Sequence, residues 1–108
     1  MMQQKDQRAQ RYEIVAAVHF RIPREQKWRE GIIQNISTSG ILIRTNEVCP
    51  ADTDLEMRFG LPVDLPYSRA AEVYCRGVVV RSSRSLDENE KGFIAATIDQ
   101  SRLIRSTA

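Results

Sequence analysis

Hydrophobic and polar residues alternate along much of this chain with a period of two. Residues 14–22 place isoleucine, alanine, valine and phenylalanine at every second position. Residues 54–61 repeat the pattern with leucine, methionine and phenylalanine. Successive side chains of a β-strand point to opposite faces, so this spacing fits a strand with one buried face. Both segments are therefore predicted to be half-buried strands.

Four further apolar segments, separated by short polar turns, are predicted as strands over residues 28–36, 40–44, 71–80 and 92–98. No apolar repeat with the 3.6-residue period of a helix extends beyond a turn or two. We therefore predict an all-β fold, a six-stranded antiparallel β-barrel with little helix, because closing the sheet removes exposed strand edges. After Asp99 we expect a short helical turn or a frayed end.

Turn-forming residues separate the second and third predicted strands. The segment Ser37-Thr38-Ser39-Gly40 is short enough to predict a β-hairpin, in which Gly40 is free to adopt a positive φ. Further along, the alternation is interrupted near Gly77, which predicts a bulge or bend at that residue.

The chain length of 108 residues is that of one domain with one hydrophobic core. We expect a flexible N-terminal arm over residues 1–12, a barrel over residues 13–100 and a short C-terminal tail over residues 101–108. The 16 basic and 14 acidic residues give a net charge of +2. That charge is too small for the uniform basic field of a dedicated DNA- or RNA-binding domain.

The first residues are polar, and no apolar stretch approaches the length that crosses a bilayer. We therefore expect a cytoplasmic protein without membrane insertion. Cys49 and Cys75 fit neither a disulfide framework nor a multi-cysteine zinc pattern, so we expect them to be buried or half-buried thiols.

The residue types that catalysis requires are sparse. The single histidine, His19, lies on a predicted strand face, where a surface role is far more common than a catalytic one. One histidine and two distant cysteines cannot assemble a metal site, and no glycine-rich phosphate loop leads into a helix. We therefore expect no enzymatic activity, no metal and no cofactor.

Two short motifs lie near the first strands. Gln7-Arg8-Ala9-Gln10-Arg11 precedes the first strand, and Asn35-Ile36-Ser37-Thr38-Ser39-Gly40 spans the turn after the second. They resemble the two signatures of the PilZ family, an Arg-x-x-x-Arg segment before the first strand and an (Asp/Asn)-x-Ser-x-x-Gly turn. The resemblance extends to the strand order and to the last strand, Gly92-Phe93-Ile94-Ala95-Ala96, so it covers most of the chain.

The resemblance implies a barrel that binds cyclic di-GMP and acts in trans on an unidentified effector protein controlling motility, biofilm, exopolysaccharide or pilus function. Arg8 and Arg11 would bind phosphate or guanine, because a guanidinium donates bidentate hydrogen bonds and stacks on purines. Asn35 would pair with a guanine edge, Ser37 would donate to phosphate or base, and Gly40 would allow close backbone approach.

The first motif departs from the family pattern, since the position four residues before Arg11 holds Gln7. Losing one charge-assisted contact costs about 1.5–3 kcal/mol, or roughly ten- to a hundredfold in affinity. Two functions therefore remain: a cyclic di-GMP sensor, or a degenerate PilZ-like interaction module that binds a protein without nucleotide. An oligonucleotide-binding barrel would need a basic face interleaved with aromatic residues, which the sequence does not clearly supply.

Overall fold

The computed structural model of the protein describes residues 16–61, 71–87 and 90–105. Within these residues it contains seven strands and no helix. The strands are β1 (Ala16–Arg21), β2 (Arg29–Ile36), β3 (Gly40–Thr45), β4 (Asp54–Leu61), β5 (Ala71–Ser83), β6 (Gly92–Thr97) and β7 (Gln100–Arg105). No helix long and apolar enough to cross a membrane is found in these ranges. The predicted arm over residues 1–12, with Arg8 and Arg11, lies outside the described residues.

Six of the strands form a closed barrel. The strands β4, β1, β2, β3, β6 and β5 lie side by side in that order, and a further pairing of β4 with β5 closes the ring. Every pairing is antiparallel. The six-stranded antiparallel β-barrel predicted from the sequence is therefore confirmed.

The seventh strand continues the line of β6 beyond the barrel. β6 pairs with β5 through residues 79–83, and β7 pairs with β5 through residues 71–76. The expectation of a helical turn or a frayed end after Asp99 is wrong in this region. The reason is the 13-residue length of β5, whose first half would otherwise leave a row of backbone groups without partners on that edge.

Alternate residues of the barrel strands fill its interior. Val18 and Phe20 of β1 and Leu55 and Met57 of β4 are at most 1% exposed, as their alternation predicts. The other buried apolar residues are Ile33, Ile41, Ile43, Cys49, Phe59, Cys75, Val79, Ile94 and Ala96. Each large side chain buried in this way stabilises the fold by about 1.5–3 kcal/mol.

Both cysteines belong to this core as free thiols. Burial raises the pKa of Cys75 to about 11. Burial also raises the pKa of Cys49, where the nearby guanidinium of Arg29 acts in the opposite direction. A raised pKa disfavours the reactive thiolate, so packing is the role that the structure assigns to these two side chains.

Two glycines can be compared with what the sequence predicts. Among the described residues no glycine has a positive φ, so Gly40 does not use the conformational freedom that its turn position allows. The register shift of β5 lies between Val79 and Arg81, and not at Gly77. Gly77 is nevertheless required, because a Cβ atom there would overlap the backbone carbonyl of Thr97.

Candidate ligand site

The turn between β2 and β3 is held together by the side chain of Ser37. Its hydroxyl oxygen accepts hydrogen bonds from the backbone N–H groups of Ser39 and Gly40, each at 3.2 Å. The Ser37 N–H in turn donates to the Gly40 carbonyl at 2.8 Å. These bonds fix the shape of the turn, so the first function of Ser37 is structural. The Ser37 hydroxyl also donates a long hydrogen bond to the Gly40 carbonyl, at 3.5 Å.

A β-bulge in β2 sets the direction of the Asn35 side chain. The register pairs Ile33 with Ile43 and Asn35 with Leu42, so Gln34 is an extra residue without an opposite partner. Residues opposite each other in an antiparallel pair share a face of the sheet. Ile33 and Ile43 point into the barrel, whereas Leu42 lies on its exterior. The bulge therefore turns Asn35 outward as well.

The exterior of β2, β3, β6 and residues 79–83 of β5 forms a surface that we name the open face. Its apolar floor consists of Leu42, Phe93 and Ala95, which are half-buried. Asn35 stands beside Leu42, and Leu42 in turn lies opposite Ala95. The floor is shallow because Ala95 and Leu42 are smaller than Phe93, which supplies its one aromatic ring. A flat aromatic ligand can rest on such a surface.

Arginines stand around this floor. Arg44 Nε donates to Gln34 Oε1 at 2.7 Å, and the Arg81 guanidinium lies 5.8 Å from the centre of the Phe93 ring. In the described part of the chain, neither arginine has a carboxylate within ion-pair distance. Their positive charge is therefore uncompensated on this face.

A shallow cleft of about 360 Å³ lies between these side chains. Its lining includes Gln34, Leu42, Arg44, Arg81, Arg84, Glu90, Lys91 and Phe93. Four of these residues are cationic and one is acidic. The cleft is open to solvent and positively charged, which suits an anionic ligand bound at the surface.

The structure shows which way the side chains of Arg29 and Arg44 point, which the alternation of the sequence leaves undecided. Arg44 lies on the open face. Arg29 instead forms an ion pair with Glu25 at 3.0 Å and donates to the Cys49 sulfur at 3.1 Å. Arg81 also lies on the open face, and no feature of the sequence singles it out. Only the pairing of β5 with β6 brings it beside Phe93.

Of the five residues predicted to bind ligand, three can be located. Asn35 lies on the open face, Ser37 lies in the adjoining turn, and Gly40 begins the strand after it. A Cβ atom at Gly40 would lie 3.4 Å from its nearest neighbour, the Ala96 carbonyl oxygen, so no close protein contact requires a glycine there. The chain enters the barrel at Ala16, which pairs with Ile33. The described chain therefore begins beside the strand that carries Asn35.

Comparison with protein families yields one match, to a family described as the PilZ domain, over residues 4–106. Among solved structures, the chain is similar to one described as "Structure of Bacillus subtilis Inhibitor of motility (MotI/DgrA)". The TM-score is 0.68 at 18% sequence identity, over 92% of this chain and 44% of that chain. The chain therefore spans less than half of that protein, and the likeness concerns the fold. None of the curated proteins matches this chain.

Proposed function

Because this chain belongs to the PilZ domain family, matched over residues 4–106, we propose that it binds cyclic di-GMP and acts as an adaptor on a partner protein. PilZ domains are binding and adaptor modules of cyclic di-GMP signalling, and not enzymes. The open face is the part of the surface that we assign to the nucleotide. Binding of cyclic di-GMP at the open face is consistent with the predicted cytoplasmic location, because this messenger is found in the cytoplasm.

One arrangement on the open face carries this proposal. Asn35 points outward beside the apolar floor, and Arg44 and Arg81, which have no carboxylate partner in the described part of the chain, stand around it. A cyclic dinucleotide presents two phosphates and two flat guanine bases. Arg44 and Arg81 can bind phosphate or the O6 and N7 edge of guanine. The amide of Asn35 can pair with a base edge, while Phe93 and Leu42 supply the surface on which a base stacks.

The motif residues complete the proposed site. Ser37 acts mainly by shaping the turn. Its hydroxyl would contact the ligand by exchanging the long bond to the Gly40 carbonyl, at 3.5 Å, for one to the ligand. Gly40 leaves room for a base or phosphate to approach the backbone. Arg8 and Arg11 would bind the nucleotide from the N-terminal segment, as the family pattern implies.

The proposed adaptor function rests on the PilZ family match. The effector protein is acted on in trans, and motility, biofilm formation, exopolysaccharide synthesis and pilus function are the outputs that the family suggests. The alternative is an interaction module that no longer binds nucleotide. The observation that favours this alternative is Gln7, which stands where the family pattern has arginine.

Isothermal titration of the full chain with cyclic di-GMP tests the proposal. We expect wild-type binding in the micromolar range or tighter, weakened about ten- to a hundredfold by Arg44→Ala and by Arg11→Ala. Gln7→Arg should strengthen binding by restoring a charged contact. The matched control is Arg102→Ala, which removes the same side chain from β7 and should leave the affinity unchanged.

Two results would contradict the nucleotide function. If the wild-type chain gives no heat at millimolar cyclic di-GMP and Gln7→Arg does bind, the natural protein is the nucleotide-free module. If binding occurs but Arg44→Ala and Arg102→Ala weaken it equally, the ligand does not lie on the open face.

A further inference from the structure

A second arginine-bearing surface lies on the exterior of β1, β4, β7 and residues 71–78 of β5. We name it the paired face. Two rows of its side chains cross all four strands. One row contains His19, Arg58, Tyr74 and Arg102, and the other contains Arg21, Glu56, Arg76 and Gln100. Neither row belongs to the turn or to the open face.

Glu56 is the centre of this surface. Its position in β4 faces outward, yet the residue is only 6% exposed. The carboxylate accepts hydrogen bonds from Arg21 Nε at 2.7 Å and from the Tyr74 hydroxyl at 2.9 Å. Arg76 donates to it at 3.3 Å. One carboxylate therefore fixes side chains from β1 and β5 in defined positions.

Two aromatic rings lie against guanidinium groups of the paired face: Trp28, which comes from the connection before β2 and extends this face, and Tyr74 of β5. The guanidinium of Arg21 lies 4.2 Å from the ring centre of Trp28, and that of Arg58 lies 5.5 Å from it. Arg102 lies 5.3 Å from the ring centre of Tyr74. Tryptophan, tyrosine and arginine are the residues most enriched at the energetic centres of protein interfaces. Side chains that are already ordered lose little entropy on binding.

The charge of the paired face is positive despite its ion pairs. Glu72 compensates Arg58 at 2.8 Å, and Arg21 and Arg76 share Glu56. Arg102 has no ion-pair partner within the described part of the chain. Asp54 lies on the same side of β4 as Glu56, so four guanidinium groups face three carboxylates. The remaining positive charge is that of Arg102, and the surface complementary to it is acidic.

An apolar element and an open strand edge adjoin these charges. Ile104 is 40% exposed and lies on the same side of β7 as Arg102, because side chains alternate along a strand. Among the described strands, only β5 pairs with β7. An exposed apolar residue beside charged and aromatic groups is the usual composition of a protein interface.

The same features argue against nucleic acid as the occupant. The side chain of Glu72 is 38% exposed within the face and would repel phosphates. The Trp28 and Tyr74 rings already stack on guanidinium groups, so they do not offer free platforms for bases.

The paired face is joined by backbone hydrogen bonds to the β2–β3 turn. The Ile98 N–H donates to the Ser39 carbonyl at 2.9 Å, and the Asp99 N–H donates to the Arg76 carbonyl at 2.8 Å. Consecutive residues of the β6–β7 connection therefore contact both the turn and the strand that carries Arg76. The two sites share this short connection.

We propose that the paired face docks an acidic surface of the partner protein, with Arg102, Trp28 and Ile104 at the contact. The ordered arginine–aromatic pairs, the unpaired positive charge of Arg102 and the exposed apolar side chain carry this inference. It rests on the proposed function only in requiring a partner in trans, and it does not require that nucleotide binds.

Photo-crosslinking in cells followed by affinity measurement tests the inference. The full chain carries a photoreactive phenylalanine derivative in place of Gln100 on the paired face, or in place of Val80, which is 59% exposed, as the control. We expect an acidic protein that conjugates from position 100 and not from position 80. That protein is then purified and titrated with the wild-type chain, with Arg102→Glu and with Arg84→Glu.

The expected result is that Arg102→Glu weakens binding of the captured protein by about tenfold or more, with a loss of salt dependence. Arg84→Glu makes the same charge change in the open-face cleft and should alter the affinity by no more than about twofold. Ile104→Ser provides a second variant that leaves charge unchanged and should also weaken binding.

Other outcomes would overturn the inference. The inference fails if the photoreactive residue at position 100 conjugates to nucleic acid, to a second copy of this chain, or only to what position 80 also captures. It also fails if Arg102→Glu leaves the affinity for the captured protein unchanged. The proposed nucleotide function fails independently, because cyclic di-GMP titration reports on it without the partner. If Arg84→Glu abolishes partner binding and Arg102→Glu does not, the docking surface is wrong while the nucleotide proposal stands.

Discussion

The open face and the paired face carry arginines in opposite electrostatic situations. On the paired face, Arg21 and Arg58 donate to carboxylates at 2.7 and 2.8 Å. On the open face, Arg44 donates to the neutral amide of Gln34. A guanidinium beside a carboxylate is compensated and fixed in place, whereas one without a carboxylate keeps its field for an anionic ligand. The same residue type is therefore fixed by ion pairs on one side and left without a carboxylate partner on the other, as the two proposals for these faces require.

The difference arises from which strands supply acidic residues to the exterior. β4 and β5 place Glu56 and Glu72 on the paired face, while β3 and β6 present only Arg44 and uncharged side chains on the open face. Both strand pairs belong to one barrel, and both contain the same inward apolar pattern. The two faces differ at their outward positions, which packing of the core does not constrain.

The largest expected effect comes from Gly77→Ala, because β5 passes from one face to the other near this residue. The added Cβ would overlap the Thr97 carbonyl, a backbone atom that cannot move cheaply. We expect a loss of about 3 kcal/mol of unfolding free energy, measured by urea denaturation. Gly40→Ala, whose added Cβ would lie 3.4 Å from its nearest neighbour, is the control and should be much milder.

The comparison predicts that Arg44→Ala and Arg58→Ala act on different properties. Arg44→Ala should weaken cyclic di-GMP binding by about 1.5–3 kcal/mol and leave stability nearly unchanged. Arg58→Ala should lower the unfolding free energy by about 0.5–1 kcal/mol, through lost contact with Glu72 and Trp28, with nucleotide affinity retained. Titration calorimetry and urea denaturation of both variants measure the two properties. Equal effects on both properties would break the distinction between the faces.

Acid should destabilise the paired face through Glu56. Hydrogen bonds from Arg21, and then from Tyr74 and Arg76, hold the pKa of Glu56 below its ordinary value of 4.5. Its stabilising contribution is therefore present above that value and is lost as pH falls through the lower folded-state pKa.

Glu56→Gln tests this contribution directly. We expect the variant to be less stable than wild type by about 1–3 kcal/mol at pH 7, with the difference shrinking as pH is lowered below 4. Urea denaturation at a series of pH values checks this. Glu30→Gln, at an exposed carboxylate beside His19, is the matched control. A stability difference independent of pH would show that packing, and not charge, gives Glu56 its role.

The smallest expected effect on stability belongs to Gly40→Ala. The nearest atom to the added Cβ is 3.4 Å away and φ is not positive, so the fold should tolerate alanine within about 0.5 kcal/mol. Nucleotide affinity should nevertheless fall, because the methyl group blocks approach to the backbone. Unchanged affinity would mean that the ligand does not contact the turn there.

Local patterning was sufficient to predict the barrel. Strands and their inward faces follow from the two-residue period, because the energy of burying apolar side chains depends on which face each residue occupies. Val18 and Phe20, and Leu55 and Met57, are buried as their alternation predicts. The (Asp/Asn)-x-Ser-x-x-Gly motif also predicted the turn between β2 and β3, since its hydrogen bonds join residues only two or three positions apart.

Long-range pairing decided the rest. The polar strand β7 exists because β5 offers it an edge, and its own residues lack a clear apolar alternation. Asn35 faces outward because pairing with β3 places a bulge at Gln34. Glu56 is buried by donors such as Arg21, 35 residues away in the chain. Which faces are apolar follows from the local order of residues. Which polar side chains meet on the exterior follows from closure of the barrel, because those contacts join segments that are distant in the chain.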